Sequence, residues 1–142
     1  MNVLYRAHAT ASGGGRTGHT QTDDGKVSFN LSIPKSMGGD DGPGTNPEQL
    51  FAAGYAACYL SALNFVARRD KIALSPDTKI ASTVGIGPND AGEGFKLDID
   101  LTLSDTGLNM DEAQALAEAA HRVCPYSNAT RGNIEVRLHV EP

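Results

Sequence analysis

Two cysteines and one arginine are the residues of this sequence best suited to chemistry. Cys58 lies inside a long uncharged run, and Cys124 follows 66 residues later, directly before Pro125. This spacing does not match the C-x-x-C pattern of a dithiol redox motif. A reactive Cys58 would need a cation to stabilise its thiolate. Arg16 is the candidate cation, because the glycines beside it allow its loop to approach another backbone closely. The plain alternatives are that Cys58 is a small core residue and Arg16 a solvated loop residue.

Other constellations are weaker. His121 and Cys124, three positions apart on a predicted helix, could share a metal with Cys58, but three scattered ligands make a poor zinc site. A surface position near the negative end of its helix suits His121 better. The glycine-rich run at residues 13–18 lacks the lysine of a phosphate-binding loop. No G-x-S-x-G motif supports serine catalysis.

The element that must position Cys58 is a predicted long helix over residues 49–67. Asn46 is its expected N-cap, Pro47 suits the first helical position, and Glu48 favours the positive helix end. Its apolar residues point all round, which predicts burial on most sides. A membrane span would need about 20 apolar residues. The many Ala, Gly, Ser and Asn residues of the run instead favour a central helix covered by a sheet or by a second copy of the chain.

The remaining pattern predicts an α+β domain with two helices. Alternation and turn signals predict six strands and a second helix: strands at 3–11, 19–22, 27–33, 79–86, 95–103 and 134–140, and a helix at 110–124. Residues 23–26 form a predicted hairpin turn with Gly25 at positive φ. Asn109 is a candidate cap for the second helix, and Pro125 is expected to end it. The element order predicts one domain over residues 1–142.

Composition limits the classes of partner. The net charge of -5 and the lack of a basic patch argue against a nucleic-acid partner. The N-terminus lacks the basic start and apolar core of a signal peptide, so we expect a cytoplasmic protein without a membrane. In that reducing compartment two cysteines are less suited to a permanent disulfide than to a free pair, a metal site or a redox couple.

Three motifs carry a family resemblance: GRTGH at residues 15–19, NPEQLFAAGYAAC at 46–58, and VCPYSNATRGN at 123–133. They resemble motifs of the organic hydroperoxide resistance (Ohr) branch of the OsmC-like family. The resemblance runs end to end, and the third motif favours this branch over its OsmC sister. It implies an OsmC-like fold, with antiparallel sheets around a long buried central helix, in an intertwined homodimer with two active sites at the interface.

The resemblance also implies a cysteine thiol peroxidase of oxidative stress defence. In this family scheme Cys58 is the peroxidatic thiolate, and Cys124 resolves its sulfenic acid to a disulfide. Arg16 stabilises the thiolate and orients the peroxide, and Glu48 holds Arg16. The implied substrates are organic and fatty-acid hydroperoxides. No metal or bound cofactor is expected, because the implied reductant is external, either dihydrolipoamide or a lipoylated protein.

Two further expectations concern the pocket and the subunits. Apolar side chains would suit the alkyl tail of a peroxide. The candidates for a pocket wall, which could equally be core, are Phe51, Tyr55, Tyr126 and Met37. Glu48 and Cys58 are ten positions apart on one helix, about 15 Å along its axis. We therefore predict that each site takes its cysteines from one subunit and Glu48 from the other.

Three alternatives stay open from the sequence. The chain could be a non-catalytic dimeric ligand-binding module, in which Cys58 is dispensable. It could be a general disulfide oxidoreductase that ignores peroxides. It could also be a sister-type peroxidase that prefers hydrogen peroxide or a different reductant.

Overall fold

The chain divides into two compact units, Met1–Leu50 and Phe51–Pro142. The structure is a computed structural model that describes all 142 residues. The single domain expected over residues 1–142 remains a prediction.

The N-terminal unit contains a sheet of three short antiparallel strands, β1 (Ala9–Ser12), β2 (His19–Thr22) and β3 (Ser28–Asn30), in that order. The predicted hairpin turn between β2 and β3 is confirmed, with Gly25 at a φ of 74°. The predicted strand 3–11 is wrong for residues 3–8. β2 ends at Thr22, which pairs with Ala9, and the last backbone hydrogen bond at this end runs from the Asp23 amide to the His8 carbonyl at 3.0 Å.

This unit buries little apolar surface within one chain. The residues of β1 and β3 are exposed, and Leu31 is the one buried apolar residue of the unit. Phe29 on β3 is 46% exposed. A single turn of 3-10 helix over Lys35–Met37 also buries no residue. A three-stranded sheet without a covered face has little hydrophobic stabilisation of its own.

The first helix, α1, spans Pro47–Arg69 and begins as predicted. The Asn46 Oδ1 atom accepts a hydrogen bond of 2.8 Å from the Gln49 amide, which satisfies one of the free N–H groups of the first turn. At the other end, Lys71 has a φ of 56°, and the Ile72 amide donates to the Ala67 carbonyl at 2.8 Å. This is the bonding pattern of a Schellman cap.

Burial along α1 is confined to one face in a single chain. The buried residues follow helical spacing: Tyr55, Tyr59, Ala62, Leu63, Val66 and Ala67. The opposite face leaves Ala57, Ser61 and Phe65 exposed. The predicted burial on most sides is therefore not met within one chain. The helix is long and apolar enough to cross a membrane, but its buried face is part of the hydrophobic core, as in a soluble protein.

The C-terminal unit contains a second sheet with the strand order β4 (Lys79–Pro88), β5 (Phe95–Ser104) and β6 (Val136–Val140). The alternation in β5 buries Ile99, Leu101 and Leu103 at 1% exposure or less. These side chains and the buried face of α1 belong to one core. Half-buried strands of this kind show the period of two that their sequence predicted.

The second sheet corrects the expectation that all sheets are antiparallel. The strands β4 and β5 form an antiparallel hairpin, whereas β5 and β6 pair in parallel, with Leu101 opposite Leu138. Two helices, α2 (Met110–Val123) and α3 (Pro125–Thr130), connect β5 to β6. Parallel neighbours need such a crossover, because a short turn cannot bring the chain back in the same direction.

The crossover helices differ in part from their prediction. Asn109 caps α2 as expected, with its Oδ1 atom accepting from the Glu112 amide at 2.9 Å. α2 ends at Val123, just before Pro125 as expected, and Pro125 also begins the additional helix α3, which was not predicted. Proline suits the first helical position because the N–H group that it lacks would have no intrahelical partner there. The single residue between the two helices is Cys124.

Candidate functional site

The crossover brings the two cysteines together. Cys58 lies in the middle of α1, and Cys124 lies at the junction of α2 and α3. Their Sγ atoms are 3.7 Å apart, and both thiols are free. Cys58 is half-buried, whereas Cys124 is fully buried and belongs to the core. A disulfide has an S–S distance of about 2.0 Å, so a small movement of the junction would bring the sulfurs to bonding distance.

The surroundings of Cys58 within this unit favour the protonated thiol. Burial raises the pKa of Cys58 above its ordinary value, and the neighbouring Cys124 raises it further. A hydrogen bond from the Tyr126 backbone amide acts in the opposite direction. Tyr126 supplies the first free amide of α3, because Pro125 has none. None of these groups is a cation, so a thiolate at neutral pH needs a positive charge in addition.

Such a charge is held in place in the N-terminal unit. The guanidinium of Arg16 donates two hydrogen bonds to the Glu48 carboxylate, at 2.6 and 2.8 Å. The side-chain hydrogen bond from Arg16 lowers the pKa of Glu48, and the same bond raises the pKa of Arg16. A bidentate pair of this kind fixes the plane of the guanidinium as well as its position.

The loop that carries Arg16 depends on glycine. Gly13, Gly14 and Gly15 have φ values of 75°, 93° and 68°, which other residues rarely adopt. Gly18 closes the loop by donating its amide to the Gly15 carbonyl at 3.1 Å. A Cβ atom on Gly18 would lie 1.9 Å from the Ser12 carbonyl oxygen. The sequence feature that singled out Arg16 is therefore a real conformational requirement.

The four predicted pocket residues do not all lie in the same unit. In the C-terminal unit Phe51, Tyr55 and Tyr126 form an aromatic cluster, with ring centroids 5.6 to 6.0 Å apart. Phe51 is half-buried and Tyr126 is 39% exposed, so both can contact a ligand. Tyr55 is fully buried, which favours the core interpretation for this residue. Met37 lies in the N-terminal unit, exposed as the last residue of its 3-10 turn.

The Tyr126 ring lies close to the backbone of α1. A Cβ atom on Gly54 would be 3.0 Å from the Tyr126 hydroxyl oxygen. Glycine at position 54 therefore lets the ring of the residue after Pro125 rest on the helix one turn before Cys58.

One polar residue next to the cysteines, Ser127, was not predicted from the sequence. The Ser127 hydroxyl is fully buried and lies 2.7 Å from the Tyr55 hydroxyl oxygen and 2.8 Å from His121 Nδ1. His121 lies in the last turn of α2 as expected, but its ring is half-buried and bonded to Ser127 rather than free at the surface. Burial lowers the pKa of His121, and the nearby Arg131 charge lowers it further. No sequence pattern distinguishes such a serine from an exposed one.

Metal binding finds no support in the geometry. The structure contains no group of three or more His, Cys, Asp or Glu side chains placed to hold a metal ion. The arrangement can do thiol chemistry, because a half-buried free cysteine lies next to a fully buried one.

Comparison with known proteins assigns the family. The OsmC-like protein family matches residues 38–139 of the chain. An organic hydroperoxide resistance protein of Xanthomonas axonopodis pv. citri is 51% identical over 136 residues, which is 96% of this chain and 94% of the relative. OhrB of Bacillus subtilis is 43% identical over 98% of this chain and 99% of the relative. The chain belongs to the OsmC-like family, in its Ohr branch.

Solved Ohr structures share the fold. The crystal structure of an organic hydroperoxide resistance protein from Legionella pneumophila is 49% identical, covers 99% of this chain and all of its own, and gives a TM-score of 0.92. The crystal structure of a homologue from Vibrio cholerae has captopril bound in one of the active sites. It is 50% identical, the match covers 99% of this chain and 94% of the homologue's chain, and the TM-score is 0.90. The predicted family and the predicted α+β fold with a long helix are confirmed, and the structure adds that the strands form two three-stranded sheets.

Proposed function

We propose that this protein is a cysteine thiol peroxidase that reduces organic hydroperoxides to alcohols in the cytoplasm. The observation that carries the proposal is the Cys58–Cys124 pair, with free sulfurs 3.7 Å apart, one half-exposed and one buried. Relatives named for organic hydroperoxide resistance support the substrate class.

The proposed reaction uses the two thiols in turn. The Cys58 thiolate attacks the O–O bond of the hydroperoxide, which leaves a sulfenic acid on Cys58 and releases an alcohol once a proton is taken up. The Cys124 thiol then attacks the sulfenic sulfur. A disulfide forms, and the thiol proton leaves with the hydroxyl group as water.

The cation for the first step is proposed to come from Arg16, held by Glu48. A positive charge near the sulfur lowers the thiol pKa and offsets the burial that raises it. Phe51 and Tyr126 are proposed to contact the alkyl tail of the substrate, with Met37 as a further wall residue. Apolar walls would favour organic and fatty-acid hydroperoxides over hydrogen peroxide.

The active form is proposed to be an intertwined homodimer. The uncovered face of α1 and the open sheet of the N-terminal unit both leave apolar side chains exposed in one chain, including Phe65 at 50% and Phe29 at 46%. A second copy would bury them. Glu48 and Cys58 lie about 15 Å apart along α1, so we propose that the Arg16–Glu48 pair of one copy serves the cysteines of the other. Captopril in one of the active sites of the Vibrio cholerae homologue agrees with an assembly of several sites.

Turnover needs a dithiol to reduce the disulfide. We propose dihydrolipoamide or a lipoylated protein, because a dithiol can displace one cysteine and then release itself by closing its own disulfide.

Single-turnover oxidation tests the function. Reduced protein is mixed with cumene hydroperoxide or with hydrogen peroxide, and free thiols are counted. We expect rapid loss of two thiols per chain with the organic peroxide, slower loss with hydrogen peroxide, and no peroxide consumption by Cys58→Ser. Unconsumed peroxide with both thiols intact would overturn the proposal and favour a ligand-binding module.

A further inference from the structure

The buried hydroxyl of Ser127 joins three helices at one point. It contacts the Tyr55 hydroxyl on α1 at 2.7 Å and His121 Nδ1 on α2 at 2.8 Å, while Ser127 itself belongs to α3. A hydroxyl has one proton and two lone pairs, so it can donate to one neighbour and accept from the other. All three groups are then satisfied, although Ser127 and Tyr55 are fully buried.

The cysteines lie beside this junction. Tyr55 is three residues before Cys58 on α1, and His121 and Ser127 are three residues before and after Cys124. On a helix, residues three apart lie on neighbouring turns of one face. The bonds therefore tie both sides of the Cys124 junction to the turn of α1 next to Cys58.

We propose that Ser127 is a positioning residue that holds the Cys124 junction against α1, so that Cys124 captures the oxidised Cys58 before a second peroxide does. This inference rests on the proposed function. The Cys58 sulfenic acid has two fates. With Cys124 it gives the disulfide and water, and with a second hydroperoxide it gives the sulfinic acid and a second alcohol. The first fate needs the sulfurs to approach from 3.7 Å to about 2.0 Å, whereas the second needs no contact with Cys124.

Loss of the hydroxyl should therefore change the ratio of the two products. Ser127→Ala leaves the Tyr55 hydroxyl buried without a partner and frees the junction on the His121 side. We expect the ratio of sulfinic acid to disulfide to rise about tenfold, since a single lost hydrogen bond is commonly worth about that factor. Both products come from one intermediate, so their ratio does not depend on the rate of the first oxidation.

The chain offers a matched control. Tyr59 is also a buried tyrosine of α1, and its hydroxyl donates to the Ala117 carbonyl on α2 at 2.5 Å without touching Ser127. Tyr59→Phe removes a buried tyrosine hydrogen bond between α1 and α2 and leaves the Ser127 junction intact. A general loosening of the core would raise the product ratio in both variants, whereas positioning of the junction would raise it only in Ser127→Ala.

The experiment oxidises the full-length reduced protein with increasing cumene hydroperoxide in the absence of reductant, and measures both products by intact mass after blocking free thiols. A raised ratio in Ser127→Ala, with a wild-type ratio in Tyr59→Phe, supports the proposal. Equal ratios in the two variants would overturn it. Should Ser127→Ala fail to fold, Tyr55→Phe breaks the same junction and is read against the same control. Wild-type protein that forms neither product would instead overturn the proposed function.

Discussion

The Arg16–Glu48 pair lies in a unit that buries almost no apolar side chain, whereas the Cys58–Cys124 pair lies in a unit with a closed core. In the first unit the geometry depends on glycine conformations and one bidentate ion pair. In the second it depends on α1 and α2, which share one hydrophobic core with the second sheet. The two thiols can therefore be placed by one chain alone, while the charged pair belongs to a unit that lacks the hydrophobic stabilisation to stand by itself.

Mixed dimers give the strongest test of the proposal that the Arg16–Glu48 pair of one copy serves the cysteines of the other. A dimer of one Arg16→Ala copy and one Cys58→Ser copy retains one complete site if the arginine acts across the interface, and none if it acts within its own chain. We expect about half the wild-type peroxidase activity, because a symmetric dimer has two equivalent sites. The two copies carry different tags and are purified as the mixed species.

The matched control places both substitutions in one copy and pairs it with a wild-type copy. Action across the interface then leaves no complete site, and action within the chain leaves one. Activity in the control together with none in the first mixed dimer would reverse our assignment.

Truncating one apolar side chain in each unit compares how much each unit contributes to the free energy of unfolding. Leu101→Ala removes a side chain that is 1% exposed in the centre of the second sheet, and we expect a loss of about 2–5 kcal/mol in the free energy of unfolding. Phe29→Ala should cost less than about 1 kcal/mol within one chain, because the ring is 46% exposed. Denaturant unfolding at several protein concentrations measures both.

In the proposed dimer the Phe29→Ala loss should depend on protein concentration, since the partner would cover the ring. A loss that is as large as that of Leu101→Ala at every concentration would contradict the difference between the units.

The smallest expected effect concerns the acidity of Cys58. Its own unit raises the pKa of the thiol, mainly by burial, so the proposed Arg16 charge must lower it again. Arg16→Gln removes that charge, and we expect the apparent pKa of Cys58 to rise. The rate of oxidation at pH 7 should fall about tenfold, and the difference should shrink as the pH rises and both proteins become ionised. A pH profile of single-turnover oxidation measures this shift, and an unchanged pKa would remove Arg16 from the first step.

The sequence correctly predicted those features that depend only on residues close together in the chain. The alternation of β5, the caps Asn46 and Asn109, and the turn at Gly25 follow from pleat geometry, free helix amides and positive φ, and all are confirmed. The parallel pairing of β6 and the one-sided burial of α1 were not predicted, because they depend on which distant segments meet. The length of β1 was overestimated for the same reason, since a strand extends only as far as its partner.

Contacts between distant segments also limited how much of the site could be predicted from the sequence. Spacing alone left Cys58 undecided between core residue and reactive thiol, and only the family resemblance paired it with Cys124, 66 residues away. The glycine loop around Arg16 was visible in the sequence because glycine marks a backbone conformation. Ser127 was invisible, because a buried and an exposed serine have the same pattern until the tertiary contacts are known.

The parallel crossover also affects when the two cysteines are brought together during folding. Both cysteines leave the ribosome before β6, yet the helices that flank Cys124 are held at both ends only once β6 has joined β5. Closing this loop brings Leu138 to Leu101 across 37 residues, a late and entropically costly contact. We therefore expect the two thiols to reach their paired position late in folding, when β6 docks on β5.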